Sequence, residues 1–309
     1  MNFVPILIFA FNRPNKLLAT LNALSLNNES KNSNLYIYCD GYPKNISYEE
    51  EKQIILTREI AKNESRFNQV KVIEVSENQG LANSVIKGIN YVTSFSNKLI
   101  ILEDDIITSN YFLKFMNDAL TLYEYDQNVA SICGYWYPTR KINSETFFLR
   151  CSSSWGWGTW RRAWDKFEID GEILKNKILK NNLKHSFDLD GTVNYFNMLE
   201  DQIRQKNDSW AIRWYASIFL NKMLCLYPSK SLVNNIGFDG SGVHSGNISI
   251  FNTQVSKIDI KVYRIEKNEL KQAFVNLRKF YIKGKYMYKL NKLIQLIKKC
   301  FFNFQLIFT

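Results

Sequence analysis

Short apolar runs alternate with helix-like segments along the first 133 residues, and this alternation limits the fold more than any other feature. The apolar runs cover 4–9, 35–39, 70–75, 98–102 and 129–133. Between them, apolar residues recur at helical spacing in 14–24, 47–62, 80–91 and 111–125. Parallel strands need crossover connections of this kind. The sequence therefore predicts an α/β fold, a mostly parallel, doubly wound sheet flanked by helices.

Composition and cysteine usage narrow the class of protein. At 309 residues with 46% hydrophobic content, the chain can bury a large core, which excludes disorder. The five cysteines are widely spaced without a CxxC pair, so neither a disulfide framework nor a zinc site is indicated, and a reducing compartment fits. The apolar run 3–11 lacks a basic flank and a cleavage site, so it is interpreted as a strand and the protein is expected in the cytoplasm.

The positive charge is concentrated near the C-terminal end of the sequence. Residues 261–309 hold twelve Lys/Arg and two Glu, which accounts for +10 of the formal net charge of +11. We therefore expect a main domain over 1–260 and a basic, amphipathic helical segment over 261–309. That segment suits peripheral attachment to an anionic membrane, or a helix packed on the domain with its lysines in solvent.

Three adjacent carboxylates follow the apolar run 98–102 without a break. Glu103, Asp104 and Asp105 repel one another and lose solvation there, so a positive group is expected beside them. Mg²⁺ and Mn²⁺ favour such oxygens and are often shared with substrate phosphates. Asp40 follows another apolar run, and the carboxyl ends of parallel strands meet at one edge of a sheet. The alternative is a solvated acidic turn before the next helix.

Five blocks resemble the GT-A-fold glycosyltransferases, most specifically the N-acetylglucosaminyltransferase I family and more loosely glycosyltransferase family 2. The blocks are VPILIFAFNRP (4–14), YIYCDG (36–41), KLIILEDDIITSNYFLKF (98–115), SWGWGTW (154–160), and NDSWAIRW (207–214) with YPSKSLVNNIGFDGSGVHSG (227–246). They run in family order over about 4–246. The resemblance implies a Rossmann-like GT-A domain over 1–260, with a donor half of about 1–135 and an acceptor half of about 136–260.

The resemblance also implies roles on the donor side. Asp105 would be the protein ligand of Mn²⁺ or Mg²⁺, with Glu103 and Asp104 facing the donor sugar and ribose. Asp40 would read the edge of the nucleobase. Arg13 would contact the donor nucleotide; the alternative is a surface residue at a helix start.

Asn83 is placed near the donor by a second, looser similarity. The stretch NQGLANSV at 78–85 resembles the N-x-G…A-x-N pattern of family 2. Ordinary turn chemistry of Asn-Gly-like sequences is the alternative.

The resemblance identifies Asp208 as the general base, because it precedes Trp210 as the family's base precedes a tryptophan in a W-D-D-W-like motif. Here the motif reads NDSW, so only one of the two acids is present. Glu200 and Asp201 are therefore rivals for the role. The alternative for Asp208 is a simple helix N-cap.

A histidine and two tryptophans complete the candidates. His244 matches, with shifted spacing, a histidine in the family's GVSHG-like loop and would join the metal or phosphate shell; a backbone-bonded loop histidine is the alternative. Trp155 and Trp157 would stack on an acceptor sugar, or belong to an aromatic core.

The implied activity is inverting, metal-dependent transfer of a hexosyl or N-acetylhexosaminyl group from a nucleotide sugar, expected to be a UDP-sugar. The acceptor would be a glycan or lipid-linked oligosaccharide in bacterial surface polysaccharide synthesis. A sugar-phosphate nucleotidyltransferase is the first rival. Its phosphate loop is normally rich in Gly, Arg and Lys, whereas the corresponding loop of this chain, FNRP at 11–14, lacks glycine. A non-enzymatic basic protein that binds nucleic acid or membranes would leave the acidic trio unexplained. No nucleic-acid partner is expected.

Overall fold

The computed structural model describes residues 3–238 and 249–287. Its strands are β1 (Ile6–Ala10), β2 (Asn34–Cys39), β3 (Gln69–Glu74), β4 (Lys98–Glu103), β5 (Ile106–Thr108), β6 (Val129–Cys133), β7 (Thr146–Leu149), β8 (Trp157–Trp160), β9 (Leu224–Pro228) and β10 (Val233–Asn235). Its helices are α1 (Pro14–Ser25), α2 (Tyr48–Lys62), α3 (Leu81–Thr93), α4 (Phe112–Leu122), α5 (Arg161–Trp164), α6 (Gly171–Lys180), α7 (Lys184–Phe187), α8 (Tyr195–Ile203) and α9 (Trp210–Leu220). A helix over 271–287 is called the terminal helix below.

The main sheet has the strand order β3-β2-β1-β4-β8-β6-β9-β7. Neighbours from β3 to β4 are parallel, as are β6 and β9, whereas β8 and β7 run antiparallel to their neighbours. A separate antiparallel pair joins β5 to β10. The predicted mixed α/β fold with a mostly parallel central sheet flanked by helices is confirmed.

The first helices form where the sequence supplies start signals and an apolar stripe. Pro14 opens α1, because its missing N–H would have no partner in the first turn, and Leu17, Leu21 and Leu24 are fully buried against the sheet. Ser47 caps α2 through a reciprocal capping box. These helices cover the sheet beside β1 and β2 and leave the carboxyl ends of the strands free to carry polar groups.

The Trp-Gly-Trp-Gly sequence contributes β8, a central strand between β4 and β6. A Cβ atom on Gly158 would lie 2.9 Å from a methyl carbon of Leu120, so glycine allows α4 to pack closely there. Trp157 is 1% exposed, and its ring lies 5.6 Å from that of Trp210 and 5.8 Å from that of Trp214. The expected sugar-stacking role is therefore wrong for Trp157, which belongs to the aromatic core.

The basic segment is part of the fold as far as it is described. Glu269 accepts a hydrogen bond from the backbone N–H of Arg150, and Ala273, Phe274 and Leu277 of the terminal helix are buried. Among the helices in 3–238 and 249–287, none combines the length and hydropathy that a bilayer crossing requires. The predicted packed helix is thus observed over 271–287.

Replacing Trp157 with alanine should lower the free energy of unfolding by about 3–5 kcal/mol, since it removes a large side chain from a close-packed core. Trp155→Ala is the matched control, because Trp155 is partly exposed at the margin of the core and its replacement should cost less. Urea denaturation followed by circular dichroism measures both. Equal losses for the two variants would contradict this description of the core.

Candidate active site

Three neighbouring strands bring the predicted polar residues to one edge of the sheet. β1 lies between β2 and β4, and all three are parallel. Asp40 follows β2, Arg13 follows β1, and Glu103 ends β4 with Asp104 and Asp105 directly after it. The carboxyl ends of adjacent parallel strands form the usual ligand-binding edge of such a sheet.

Arg13 is the positive group that lies against the acidic residues. Its Nη2 bonds Oδ1 of Asp104, its Nε lies 3.4 Å from Oδ2 of Asp104, and its Nη1 lies 2.9 Å from Oδ2 of Asp105. The Asp104 and Asp105 side chains are only 2% and 7% exposed. The interpretations of a solvated acidic turn and of a surface arginine are therefore wrong.

A single guanidinium does not offset three carboxylates. Burial, and then the neighbouring Asp105 and Asp104, raise the pKa of Glu103 to about 8, although Arg13 opposes the rise. Burial and Asp105 raise the pKa of Asp104 to about 7, again against the effect of Arg13. Burial lowers the pKa of Arg13, but Asp104 and Asp105 outweigh it and hold the pKa above its usual value. The site therefore favours an additional positive charge.

The chain after β10 covers Asp105 at close range. The N–H of Ile236 donates to the backbone oxygen of Asp105 at 2.9 Å, and Nζ of Lys16 donates to the Ile236 oxygen at 2.7 Å. A Cβ atom on Gly237 would lie 2.2 Å from Oδ2 of Asp105, so only glycine fits beside this carboxylate. Gly237 was not predicted as a site residue; the available signal was a glycine two residues after the short strand at 233–235.

One carboxylate oxygen at this site has no hydrogen-bond partner among the described residues. Oδ1 of Asp105 is buried and accepts no hydrogen bond from the described residues. Within 3–238 and 249–287, no group of three or more His, Cys, Asp or Glu side chains forms a metal cage. The free oxygen of Asp105 nevertheless fits Mg²⁺ or Mn²⁺, because these ions are commonly held by one or two carboxylates together with a substrate's phosphates. His244, the other predicted ligand, lies outside the described residues.

Asp40 is bound by the loop that precedes α3. Its Oδ1 accepts from the backbone N–H groups of Gly41 (2.7 Å) and Gln79 (3.0 Å), and its Oδ2 accepts from Gly80 (3.1 Å). Asn83, exposed in the first turn of α3, donates its amide to the oxygen of Gln79 at 2.9 Å. Asp40 therefore shapes this loop, and its reading of a nucleobase stays a prediction, as does the donor contact of Asn83.

Asp208 lies beside the same loop, although it comes from the far part of the sequence. A Cβ atom on Gly80 would be 3.7 Å from Oδ2 of Asp208. The Asp208 side chain is 59% exposed, and its Oδ1 lies 3.4 Å from Nη2 of the buried Arg213. Ser209, not Asp208, caps α9, with its Oγ accepting from Ile212 at 3.2 Å. The N-cap alternative is therefore wrong, and the carboxylate remains accessible at the loop that binds Asp40.

The two rival acids have local partners on or next to α8. Glu200 lies 3.8 Å from Arg204, and Asp201 lies 3.6 Å from Lys206. Both pairs involve residues close in sequence and partly exposed. The contact with Gly80 thus favours Asp208 over either rival as the acid at the candidate site.

Trp155 contacts the residue that follows Gly237. It is half-buried, and its ring meets those of Tyr135 and Phe238 edge-on at 4.6 and 5.2 Å. Phe238 follows Gly237 directly, so Trp155 is near the cover of Asp105. Its stacking on an acceptor sugar stays a prediction.

Comparisons with known proteins give structural similarity only. No protein-family model matches the chain, and no curated protein matches its sequence. The mannosyltransferase PcManGT from Pyrobaculum calidifontis, in complex with GDP-Man and Mn²⁺, is similar with a TM-score of 0.41 and 11% identity, over 70% of this chain and 69% of that one. The galactosyltransferase LgtC, in complex with donor and acceptor sugar analogues, gives a TM-score of 0.38 and 9% identity, over 72% and 73%.

A third similar structure is TarS from S. aureus, with a TM-score of 0.35 and 16% identity over 54% of this chain. The match spans 30% of the TarS chain. Similarities at these TM-scores and identities carry no argument about function, which therefore has to rest on the residues of this chain.

The pH dependence of stability should reveal the raised pKa of Glu103. A carboxyl group whose pKa is about 8 when folded and about 4.3 when unfolded stabilises the fold below pH 4, and this contribution is lost as the pH rises to 8. The Glu103→Gln variant lacks this titrating group. Between pH 5 and 8 the free energy of unfolding of the variant should therefore fall less than that of the natural protein, by on the order of 1–3 kcal/mol. Urea titrations at several pH values measure the difference; parallel profiles would contradict the assignment.

Proposed function

We propose that this protein is a glycosyltransferase that uses a nucleotide sugar and a divalent cation. The observation that carries the proposal is the buried Oδ1 of Asp105, which has no hydrogen-bond partner in 3–238 and 249–287 and lies beside Arg13 and Asp104 at the carboxyl edge of the parallel strands. A site that already holds a guanidinium and still favours positive charge suits a cation that arrives with a diphosphate. The GT-A likeness of the sequence blocks supports the same assignment.

The donor would lie along the edge formed by β2, β1 and β4. Asp105 would hold Mn²⁺ or Mg²⁺ through Oδ1, and the bound ion would neutralise charge on the departing nucleoside diphosphate. Arg13 keeps Asp104 and Asp105 in place and fixes the direction of the free oxygen. Glu103 and Asp104 would face the sugar and ribose, and Asp40 and Asn83 would border the nucleotide.

The acceptor would approach from the side where Asp208 meets the Gly80 loop. Asp208 would take the proton from the acceptor hydroxyl as its oxygen attacks the anomeric carbon, and the bond to the diphosphate would break. One displacement on the face opposite the leaving group inverts the anomeric configuration and needs no covalent enzyme intermediate. Trp155 would give the acceptor sugar an apolar ring face to pack against.

The substrates follow from the sequence resemblance. We propose a UDP-sugar donor carrying a hexosyl or N-acetylhexosaminyl group, and a glycan or lipid-linked oligosaccharide acceptor in bacterial surface polysaccharide synthesis. The protein would work in the cytoplasm, and with a lipid-linked acceptor it would work at the inner face of the plasma membrane.

Asp105→Asn should abolish cation-dependent donor binding. A panel of UDP-, GDP- and CMP-sugars with Mn²⁺ is screened by thermal shift, and we expect the UDP-sugars to raise the melting temperature of the natural protein most. In the variant, the Mn²⁺-dependent part of the shift should vanish. Donor turnover should fall at least about 100-fold, because the negative charge that develops on the departing diphosphate would lose the cation that stabilises it.

Asp118→Asn is the matched control, because the Asp118 side chain is exposed on α4 and pairs only with Lys114 among the described residues. It should behave like the natural protein. Turnover that persists in EDTA would contradict the metal assignment, and no response to any nucleotide sugar would contradict the proposed function.

Asp208→Asn should lower the transfer rate by about 10²–10⁴-fold while the donor dissociation constant stays within a factor of about two, since a general base acts in the chemical step. Isothermal titration calorimetry gives the binding constant, and product chromatography gives the rate.

Glu200→Gln and Asp201→Asn are the controls for this assignment, because their carboxylates have local partners on or next to α8. Both should retain the natural rate. If either of them lost activity while Asp208→Asn kept it, the base would be the residue whose loss abolished transfer.

A further inference from the structure

The terminal helix has one face that packs on the domain. Ala273, Phe274, Asn276 and Leu277 are buried there. The hydroxyl of Tyr281 also lies 2.8 Å from that of Tyr137. The orientation of this helix is therefore fixed by its inner face, and its outer face is turned to the surroundings.

The outer face combines apolar side chains with lysines. Val275 and Ile282 are each 42% exposed, and Tyr286 is 70% exposed. Lys279 and Lys283 are exposed beside them at helical spacing. These residues are called the outer stripe. An exposed apolar row between lysines is costly in water and has no packing role within the described chain.

The lysines of the outer stripe are not neutralised by ion pairs within the part of the chain that the structure describes. Two acids next to the helix are already paired with arginines, since Asp190 pairs with Arg150 and Arg278, and Glu269 lies 3.7 Å from Arg150. Lys279 and Lys283 form no ion pair with the described residues. From 271 to 309 the sequence holds nine Lys/Arg and no Asp or Glu. The excess positive charge therefore extends along the whole segment.

We propose that the outer stripe docks on an anionic lipid bilayer. Lysines beside the apolar row would meet lipid phosphates and headgroups, while Val275, Ile282 and Tyr286 would enter the boundary between headgroups and acyl chains. An RNA backbone would use the lysines equally well, but it offers nothing to the aliphatic side chains. The apolar half of the stripe therefore selects the bilayer.

The inner face connects this surface to the candidate active site through aromatic rings. Phe280 of the terminal helix lies 5.5 Å from Phe251, and Phe251 stacks on Phe238 at 5.6 Å. Phe238 follows Gly237, which touches Asp105. A docked helix would thus hold the site close to the lipid surface. The docking itself does not depend on the proposed glycosyltransferase activity; only its use for a lipid-linked acceptor rests on that function.

Co-sedimentation of the full chain with vesicles tests the proposal. Binding is compared for phosphatidylcholine alone and for phosphatidylcholine with 30% phosphatidylglycerol, at about 0.1 M salt. We expect binding to the anionic vesicles only. Lys279→Glu combined with Lys283→Glu should lower the partition coefficient at least about tenfold, since each basic residue near the surface contributes roughly fivefold. Ile282→Ser should lower it about threefold.

Matched controls lie on two other helices, α2 and α3. Lys52→Glu combined with Lys87→Glu reverses two exposed lysines on α2 and α3, and Ile55→Ser removes an isoleucine that is also 42% exposed. Both controls should bind vesicles like the natural protein. Circular dichroism establishes that every variant is folded.

Three results would overturn the proposal. Unchanged partition in the Lys279→Glu/Lys283→Glu variant would mean that this face does not touch the bilayer. Equal binding to neutral and anionic vesicles would mean that the lysines do not bind anionic headgroups. Binding of a 20-nucleotide RNA without binding of anionic vesicles would identify a nucleic-acid surface instead.

Discussion

The candidate site depends on the buried ion pairs that Arg13 forms with Asp104 and Asp105. Three carboxylates at the end of a buried strand would repel one another, and Arg13 offsets part of that cost while joining the end of β1 to the end of β4. The compensation is incomplete, which is why the pKa values of Glu103 and Asp104 are raised. We propose that this edge, which is short of positive charge, receives a cation carrying a diphosphate.

Backbone contacts complete this edge from distant parts of the chain. The loop before α3 donates to Asp40, and the chain after β10 lies so close to Asp105 that Gly237 has no room for a side chain. Asp208 reaches the first of these loops from the start of α9. The site is thus assembled from segments that are far apart in the sequence and that the fold brings to one edge of the sheet, rather than from any single motif.

The sequence predicted the first half of the fold well because its signals are local. The strand at 129–133 and the start of α1 at Pro14 agree with the structure, since apolar runs and helix starts depend on neighbouring residues. The strand β8 was missed, because Trp-Gly-Trp-Gly is untypical of strands and depends on Leu120 packing against Gly158. The partner of the acids was also missed. Arg13 and Asp104 are 91 residues apart, and nothing local indicates that they pair.

Binding of Mn²⁺ in the presence of nucleoside diphosphates tests the central claim most directly. Mn²⁺ is titrated into the protein with UDP, GDP or CDP present in turn, and the six-line electron paramagnetic resonance signal reports the free ion. We expect one of the nucleotides to tighten Mn²⁺ binding at least about tenfold, because Asp105 and the diphosphate would both ligate the same ion. Mn²⁺ binding that is equally tight with and without every nucleotide, or unchanged in Asp105→Asn, would contradict this.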